Sequence, residues 1–143
     1  EGSENRIKMV DKRAKKLVTL RKESLPDSEM IELHGPVDAD LTIVSWGSTK
    51  GIILEAIEHA AEQGQKVNFL QIKYVLPFPT EPVEKILRAA KKILLIETNF
   101  DGQMGGVITE NTGILIKNRF LRYDGRPFHP AQIAERINLE LNV

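Results

Sequence analysis

Glu97, Asn99 and Gln103 stand close together in the segment ILLIETNFDGQMGGVITENTGILI (93–116), with Asp101 between the last two. A carboxylate that ends an apolar run is placed to act as a general base or a metal ligand. The glycines that follow, Gly102, Gly105 and Gly106, raise a second chemistry, because glycines between a strand and a helix often cradle phosphate. Their spacing does not fit G-x-G-x-x-G, and Gly47 and Gly51 are not followed by Gly-Lys-Ser/Thr. Neither the dinucleotide nor the Walker fingerprint is present. No nucleophile–base–orienter set accompanies Glu97 either. The structural role open to it is to accept hydrogen bonds from the free amides of the next helix, or from a partner chain. Asn99 and Gln103 supply donors and acceptors around it.

Two further segments reach the same end of the expected sheet, WGSTKG (46–51) and KYVLPFPTE (73–81). Ser48, Thr49 and the amides around Gly51 are able to hold an anion on a helix dipole. The favoured reading is plainer: Ser48 caps the helix, and the glycines allow tight strand-to-helix packing. Trp46 reads as a core or interface residue. His34, His59 and His129 show no metal spacing; His59 falls on an exposed helix face, and His129, before Pro130, reads as a loop or N-cap residue. No catalytic, cofactor-binding or metal-ligating residue is assigned. The strand-end loop and interface candidates are Ser48, Thr49, Glu97, Asn99, Gln103 and Gly105.

These candidates depend on a repeating frame. LTIVSW (41–46), VNFLQI (67–72) and ILLIE (93–97) are apolar and rich in β-branched residues, as strands buried on both faces should be. Between them lie helices marked by Ile53, Ile57, Ala60 and Ala61 up to a stop at Gly64, and by Val83, Ile86, Leu87 and Ala90 behind a Thr80 cap. Val107, Ile108, Asn111, Ile114 and Leu115 mark another helix. RFLRY (119–123) is a further strand, DGRPF turns the chain, and Pro130 starts a helix facing inward through Ile133, Ile137 and Leu141. MIELH (30–34) fits a short edge strand closed by Gly35 and Pro36. About five strands alternating with helices predict a three-layer α/β/α sandwich on a mostly parallel sheet.

Ahead of this frame, Ile7, Val10, Ala14, Leu17 and Val18 keep helical spacing over residues 5–18, with a basic outer face. Glu4 and Asp11 stand four residues before Lys8 and Lys15, where they can pair, so KRAKK reads as a solvated face and not as a nucleic-acid patch. KESLPDSE is the expected linker, which divides the chain into residues 1–28, a helix and linker from a preceding domain, and residues 29–143, the α/β domain. The polar start without Met reads as a piece of a longer polypeptide. The 143 residues carry 20 Lys plus Arg against 20 Asp plus Glu, a balance unlike that of proteins built to hold nucleic acid or anionic membrane. No apolar stretch approaches the roughly 20 residues of a membrane span. The absence of Cys removes disulfides, Cys-based zinc sites and thiolate-bound clusters from this chain, and favours a cytoplasmic setting.

Taken in order, DADLTIVSWGSTKGIILEAIEHAAEQGQKVNFLQIKYVLPFP, ILLIETNFDGQMG and RYDGRPFHPAQI resemble the C-terminal part of the alpha subunit of 2-oxoacid:ferredoxin oxidoreductases, in particular the 2-oxoglutarate type. The resemblance runs from about Asn5 to the C-terminus. SWGST, the Glu-x-Asn-x-x-x-Gln spacing at Glu97, Asn99 and Gln103, and YDGRPF carry it most strongly. It implies a transketolase C-terminal-like fold with a five-stranded sheet in order 1-3-2-4-5, strand 1 antiparallel and formed by MIELH. It also implies a whole enzyme that oxidatively decarboxylates a 2-oxoacid with thiamine diphosphate and Mg2+, forms an acyl-coenzyme A, and passes electrons through iron–sulfur clusters to ferredoxin. None of these cofactors is expected on this domain. Its expected partners are other domains and subunits of the enzyme, a homodimer among the compatible assemblies, with no nucleic acid and no membrane. Two rivals remain at this point: the corresponding domain of a transketolase or of a 2-oxoacid dehydrogenase decarboxylating component, and a stand-alone regulatory module binding a small anion in the strand-end cleft.

Overall fold

The three most apolar runs form the centre of one sheet. In the computed structural model, which describes residues 2–142 apart from the side chain of Ser24, β2 (Leu41–Trp46) lies between β3 (Val67–Ile72) and β4 (Ile93–Glu97), parallel to both. Outside β4 runs β5 (Arg119–Leu121), also parallel, and outside β3 runs β1 (Ile31–His34), antiparallel. The order is β1-β3-β2-β4-β5. That is the expected sheet, with MIELH at its antiparallel edge.

Alternation along the strands divides the core in two. Leu41, Ile43, Val67, Phe69, Leu94 and Ile96 face one way, onto α3 (Lys50–Glu62) and α6 (Pro130–Leu141). Val44, Leu70, Ile72 and Leu95 face the other way, onto α4 (Thr80–Ala89) and α5 (Gln103–Thr112). Both clusters are closed to solvent, so the sheet is covered on both faces, as parallel sheets require. By this alternation Trp46 and Glu97 fall on the α5 side, and Ser45 on the α3 side.

Several boundaries differ from the sequence reading, each for a local reason. Helix α5 stops at Thr112 because Gly113 takes a left-handed φ of 72°, so Ile114 and Leu115 lie beyond it. Ser48 is not a cap: a 3-10 turn, Gly47–Thr49, intervenes, and no side chain bonds the first amides of α3. Thr80 is the first residue of α4 and Pro79 its uncapped N-terminus. His129 does cap α6, accepting from the Ala131 amide while Gln132 reaches back to the His129 amide. The expected fifth strand shortens to three residues. The polar connector is not extended; it holds a π-helical turn, Leu20–Ser24, and the short α2 (Asp27–Met30).

The N-terminal helix is the outlier. Helix α1 (Ser3–Thr19) buries no residue, and the pairs Glu4–Lys8 and Asp11–Lys15 are not formed. Its root is tied down by Arg21, which bonds Asp27 at 2.8 Å and the Leu25 carbonyl at 3.1 Å. Because α1 contributes no buried area, a chain lacking residues 2–16 should unfold in urea at the same midpoint as the 143-residue chain, within about 0.5 kcal/mol. A clear loss of stability would show that α1 packs on the body.

Candidate functional site

The carboxyl ends of β2 and β4 meet where the chain, having gone from β2 to β3 on one side, crosses to β4 on the other. In open α/β sheets such a reversal leaves a crevice that commonly receives a ligand. Here the α5 side of that crevice is filled by the protein. Glu97, fully buried at the last position of β4, sends its carboxylate to the N-terminus of α5. Its Oε1 accepts from the Gly105 amide at 3.1 Å. Its Oε2 accepts from the Met104 amide at 3.1 Å, from Asn99 Nδ2 at 2.7 Å and from Trp46 Nε1 at 3.1 Å. Four donors thus converge on one carboxylate at the positive end of a helix dipole, which offsets the cost of burying the charge.

Asn99 completes the loop. Its Oδ1 accepts the amides of Gly102 at 2.7 Å and Gln103 at 3.2 Å, so the remaining free donors of α5 are met. Gly102 allows this turn because its φ is 66°. Gly105 has a different reason: a Cβ there would stand 2.7 Å from Leu95 Cδ2, so any larger residue would force the buried Leu95 side chain to shift. Across the sheet, Ser45 Oγ donates to the Ile96 carbonyl at 2.6 Å and shares a 2.6 Å contact with Thr49 Oγ1. Thr49 Oγ1 in turn lies 3.0 Å from the Trp46 carbonyl. These bonds lace the ends of β2 and β4 together from both faces.

Of the six residues singled out from sequence, Glu97, Asn99 and Gly105 come together in one network, and Thr49 anchors the adjoining turn. Gln103 joins only through its backbone amide, and its side chain is exposed. The donor and acceptor role expected of that side chain is therefore not realised. Ser48 is exposed on the rim of a neighbouring hollow of about 490 Å³, bordered also by Ile52, Thr98, Arg126 and Phe128. Trp46, Ser45 and Met104 belong to the network, yet nothing local in the sequence marks them. Only the pairing of Thr42 with Ile93 through Val44 with Leu95 brings the two strand ends side by side.

Beside the network, the YDGRPF turn is held by Arg122. It bonds both carboxylate oxygens of Asp124, at 2.9 and 3.0 Å, and reaches Gln132 at 2.7 Å. This guanidinium, with help from the Arg126 amide, holds the Asp124 carboxyl below its ordinary value. Among the described residues no group of three or more His, Asp or Glu is placed to hold a metal ion, and no helix is long and apolar enough to cross a membrane.

With the fold and the strand-end network established, the likenesses to known proteins fall into place. Residues 39–133 match the family model of the pyruvate:ferredoxin oxidoreductase core domain II. The chain belongs to this family. It is 39% identical over 137 residues to the 2-oxoacid:ferredoxin oxidoreductase subunit alpha of Saccharolobus solfataricus, covering 96% of this chain and 22% of that protein. It is 38% identical over 92 residues to the ketoisovalerate oxidoreductase subunit VorA of Pyrococcus abyssi, covering 64% of this chain and 23% of that one. The chain thus spans about a fifth of the length of the curated relatives it matches. Among solved structures, the 2-oxoglutarate:ferredoxin oxidoreductase of Magnetococcus marinus superposes with a TM-score of 0.83 at 28% identity, over 98% of this chain and 24% of that chain. The alpha chain of a probable 2-oxoacid ferredoxin oxidoreductase from Thermoplasma acidophilum matches at 39% identity and a TM-score of 0.57, over 80% of this chain and 98% of that one. Transketolase of Pichia stipitis shares the fold at 17% identity and a TM-score of 0.50, over 78% of this chain and 18% of that chain. Family membership decides against the transketolase and dehydrogenase rivals.

Two outcomes follow from this geometry. Gly105→Ala should lower unfolding stability by about 1–3 kcal/mol through overpacking against Leu95, while Gly106→Ala, where nothing lies within 4 Å of the added methyl, should be neutral or mildly stabilising. Urea denaturation of the two variants separates them, and equal effects would contradict the close approach. An Asp124 carboxyl lowered in the fold stabilises it above the ordinary Asp range and loses that contribution as pH falls through the lowered value. An NMR titration should find Asp124 below its model-peptide value, and Arg122→Gln should bring it back.

Proposed function

We propose that this chain is the structural and assembly domain of the alpha subunit of a thiamine diphosphate-dependent 2-oxoacid:ferredoxin oxidoreductase. The whole enzyme would decarboxylate a 2-oxoacid, with coenzyme A accepting the acyl group and ferredoxin the electrons. The preferred substrate is 2-oxoglutarate, on the strength of the superposition of 98% of this chain on 24% of the Magnetococcus chain. The match to a ketoisovalerate oxidoreductase subunit favours a branched-chain 2-oxoacid as a second reading. A cytoplasmic setting, other subunits as partners and a homodimeric pairing belong to the same proposal.

The observation that carries the assembly role is the saturation of Glu97. A general base needs a lone pair turned toward substrate, and a metal ligand needs an open one. Glu97 is buried and receives four donors. The residues present do not fit a diphosphate at the N-terminus of α5, since the carboxylate already occupies its amides. No metal-holding cluster among the described residues offers Mg2+ a seat, and a chain without Cys has no thiolate for an iron–sulfur cluster. What this chain contributes is shape: two strand ends and a helix N-terminus locked into one rigid edge.

In the complete enzyme, Glu97→Ala should leave at least two buried donors unsatisfied and cost about 2 kcal/mol or more of stability. Assembly or heat resistance should therefore fail before turnover slows. Gln103→Ala, which removes only an exposed side chain, should change neither. A Glu97 variant that assembles with wild-type stability but loses roughly a hundredfold in turnover would place the carboxylate in the chemistry and overturn this reading. The isolated chain should unfold cooperatively on heating and show no 2-oxoacid oxidation.

A further inference from the structure

Exposed apolar side chains stand at the carboxyl end of each parallel strand, in the loop or on its last residue. In strand order these are Val75 and Leu76 after β3, Trp46 at the end of β2, Phe100 after β4 and Tyr123 after β5. Leu76, Phe100 and Tyr123 are 69%, 68% and 65% exposed, and the Phe100 and Tyr123 rings meet edge to face at 5.0 Å. Isolated exposed apolar residues are ordinary, but a row of them along one edge marks an interaction surface.

Helix α1 rises from this same edge. Strand β1 is antiparallel, so its first residue, Ile31, pairs with the last residue of β3, Ile72. The connector before it, which roots α1, therefore reaches the fold at the carboxyl edge, where the Lys73 amide bonds the Met30 carbonyl. Leu17 and Val18 border a hollow with Pro77 of the β3–α4 loop. At about 100° per residue, Ile7, Val10 and Ala14 share the face of Leu17 and Val18. That stripe therefore continues outward above the same loop, with Ile7 61% and Val10 52% exposed. A helix of 17 residues that buries nothing has little stability of its own in water.

We propose that α1 and the carboxyl edge form the two walls of one seat, and that the rest of the same alpha-subunit polypeptide occupies it. This rests on the family assignment and deepens the assembly reading. The Saccharolobus subunit is about five times as long as the segment it shares with this chain, and that match covers 96% of this chain, so it takes in α1. In a subunit of that length most of the polypeptide would lie outside this segment, tethered to it and present at high effective concentration, an advantage no free partner has. The stripe describes the facing surface: the occupant presents an apolar patch, and the basic residues Lys8, Lys12 and Lys16 lie on the opposite side of α1, turned away from it.

Hydrogen exchange of the complete alpha subunit tests this. The amides of α1 should exchange at least a hundredfold slower than their unstructured rates, and Val10→Asp or Leu76→Asp should each remove most of that protection. Both residues are exposed in this fold, so exchange in β2 and β3 should stay unchanged. Lysine cross-linking of a mixture of light and isotopically heavy subunits identifies the occupant. Links from Lys12 and Lys15 to lysines outside this segment should join chains of one isotope only. Unprotected α1 amides, protection that survives both substitutions, or mixed-isotope links that indicate a second copy would each overturn the proposal. None of these readouts depends on turnover, so loss of the assigned oxidoreductase activity would count against the proposed function without touching this result.

Discussion

A buried carboxylate without a cationic partner is among the more expensive groups a small domain can carry, and the strand-end architecture here is organised around one. Among the described residues no Lys or Arg forms an ion pair with Glu97, although the Arg119 guanidinium lies against the same helix start beside Gly102 and Gly105. The carboxylate is balanced by two amides of α5, the Asn99 side-chain amide and the Trp46 indole. Each requirement of that balance fixes an element. The amides must belong to a helix N-terminus, so α5 must start where β4 ends. They must come within hydrogen-bond reach, so Gly105 must let the helix close on Leu95. The indole must arrive from the neighbouring strand, so β2 and β4 must be paired in one register.

This constraint also explains why the helix end at the strand-order reversal is closed on the α5 side, while the hollow bordered by Ser48, Thr49 and Thr98 stays open beside it. The positive end of a helix at the strand-order reversal is a natural place for phosphate. In this fold the protein supplies its own anion, covalently attached and already oriented. A soluble ligand would have to displace a carboxylate that loses no translational freedom by staying. Beside this network the loop residues Leu76, Phe100 and Tyr123 are exposed and apolar.

The sequence made the sheet legible because its signals are local. Three apolar, β-branched runs, with helix stops such as Gly64 between them, are enough to define strands buried on both faces. The pairing of Glu97 with the following helix was legible for the same reason, since donor and acceptor lie within eight residues. Two kinds of feature were not. Trp46 and Glu97 are 51 residues apart, and only the sheet order brings them together. Neither Ser48 nor Thr80 is a cap: residue type alone does not reveal an intervening 3-10 turn or an extra residue of helix. The end of α5 was misplaced because Ile114 and Leu115 keep helical spacing past Gly113, whose left-handed conformation overrides it. The order 1-3-2-4-5 itself came from family resemblance and not from periodicity, which is blind to strand order.

Helix α1 shows where local pattern and tertiary outcome part. Its stripe at 7, 10, 14, 17 and 18 is as regular as that of any buried helix here, yet α4, of similar amphipathic design, covers the sheet through Val83 and Leu87 while α1 covers nothing. The difference is positional. Both faces of the sheet are already occupied by α3, α6, α4 and α5, so neither sheet face remains for a fifth covering helix. An amphipathic pattern states that a helix needs a partner, and the topology states whether the partner lies within the same core. For α1 it does not: none of its residues is buried in this body.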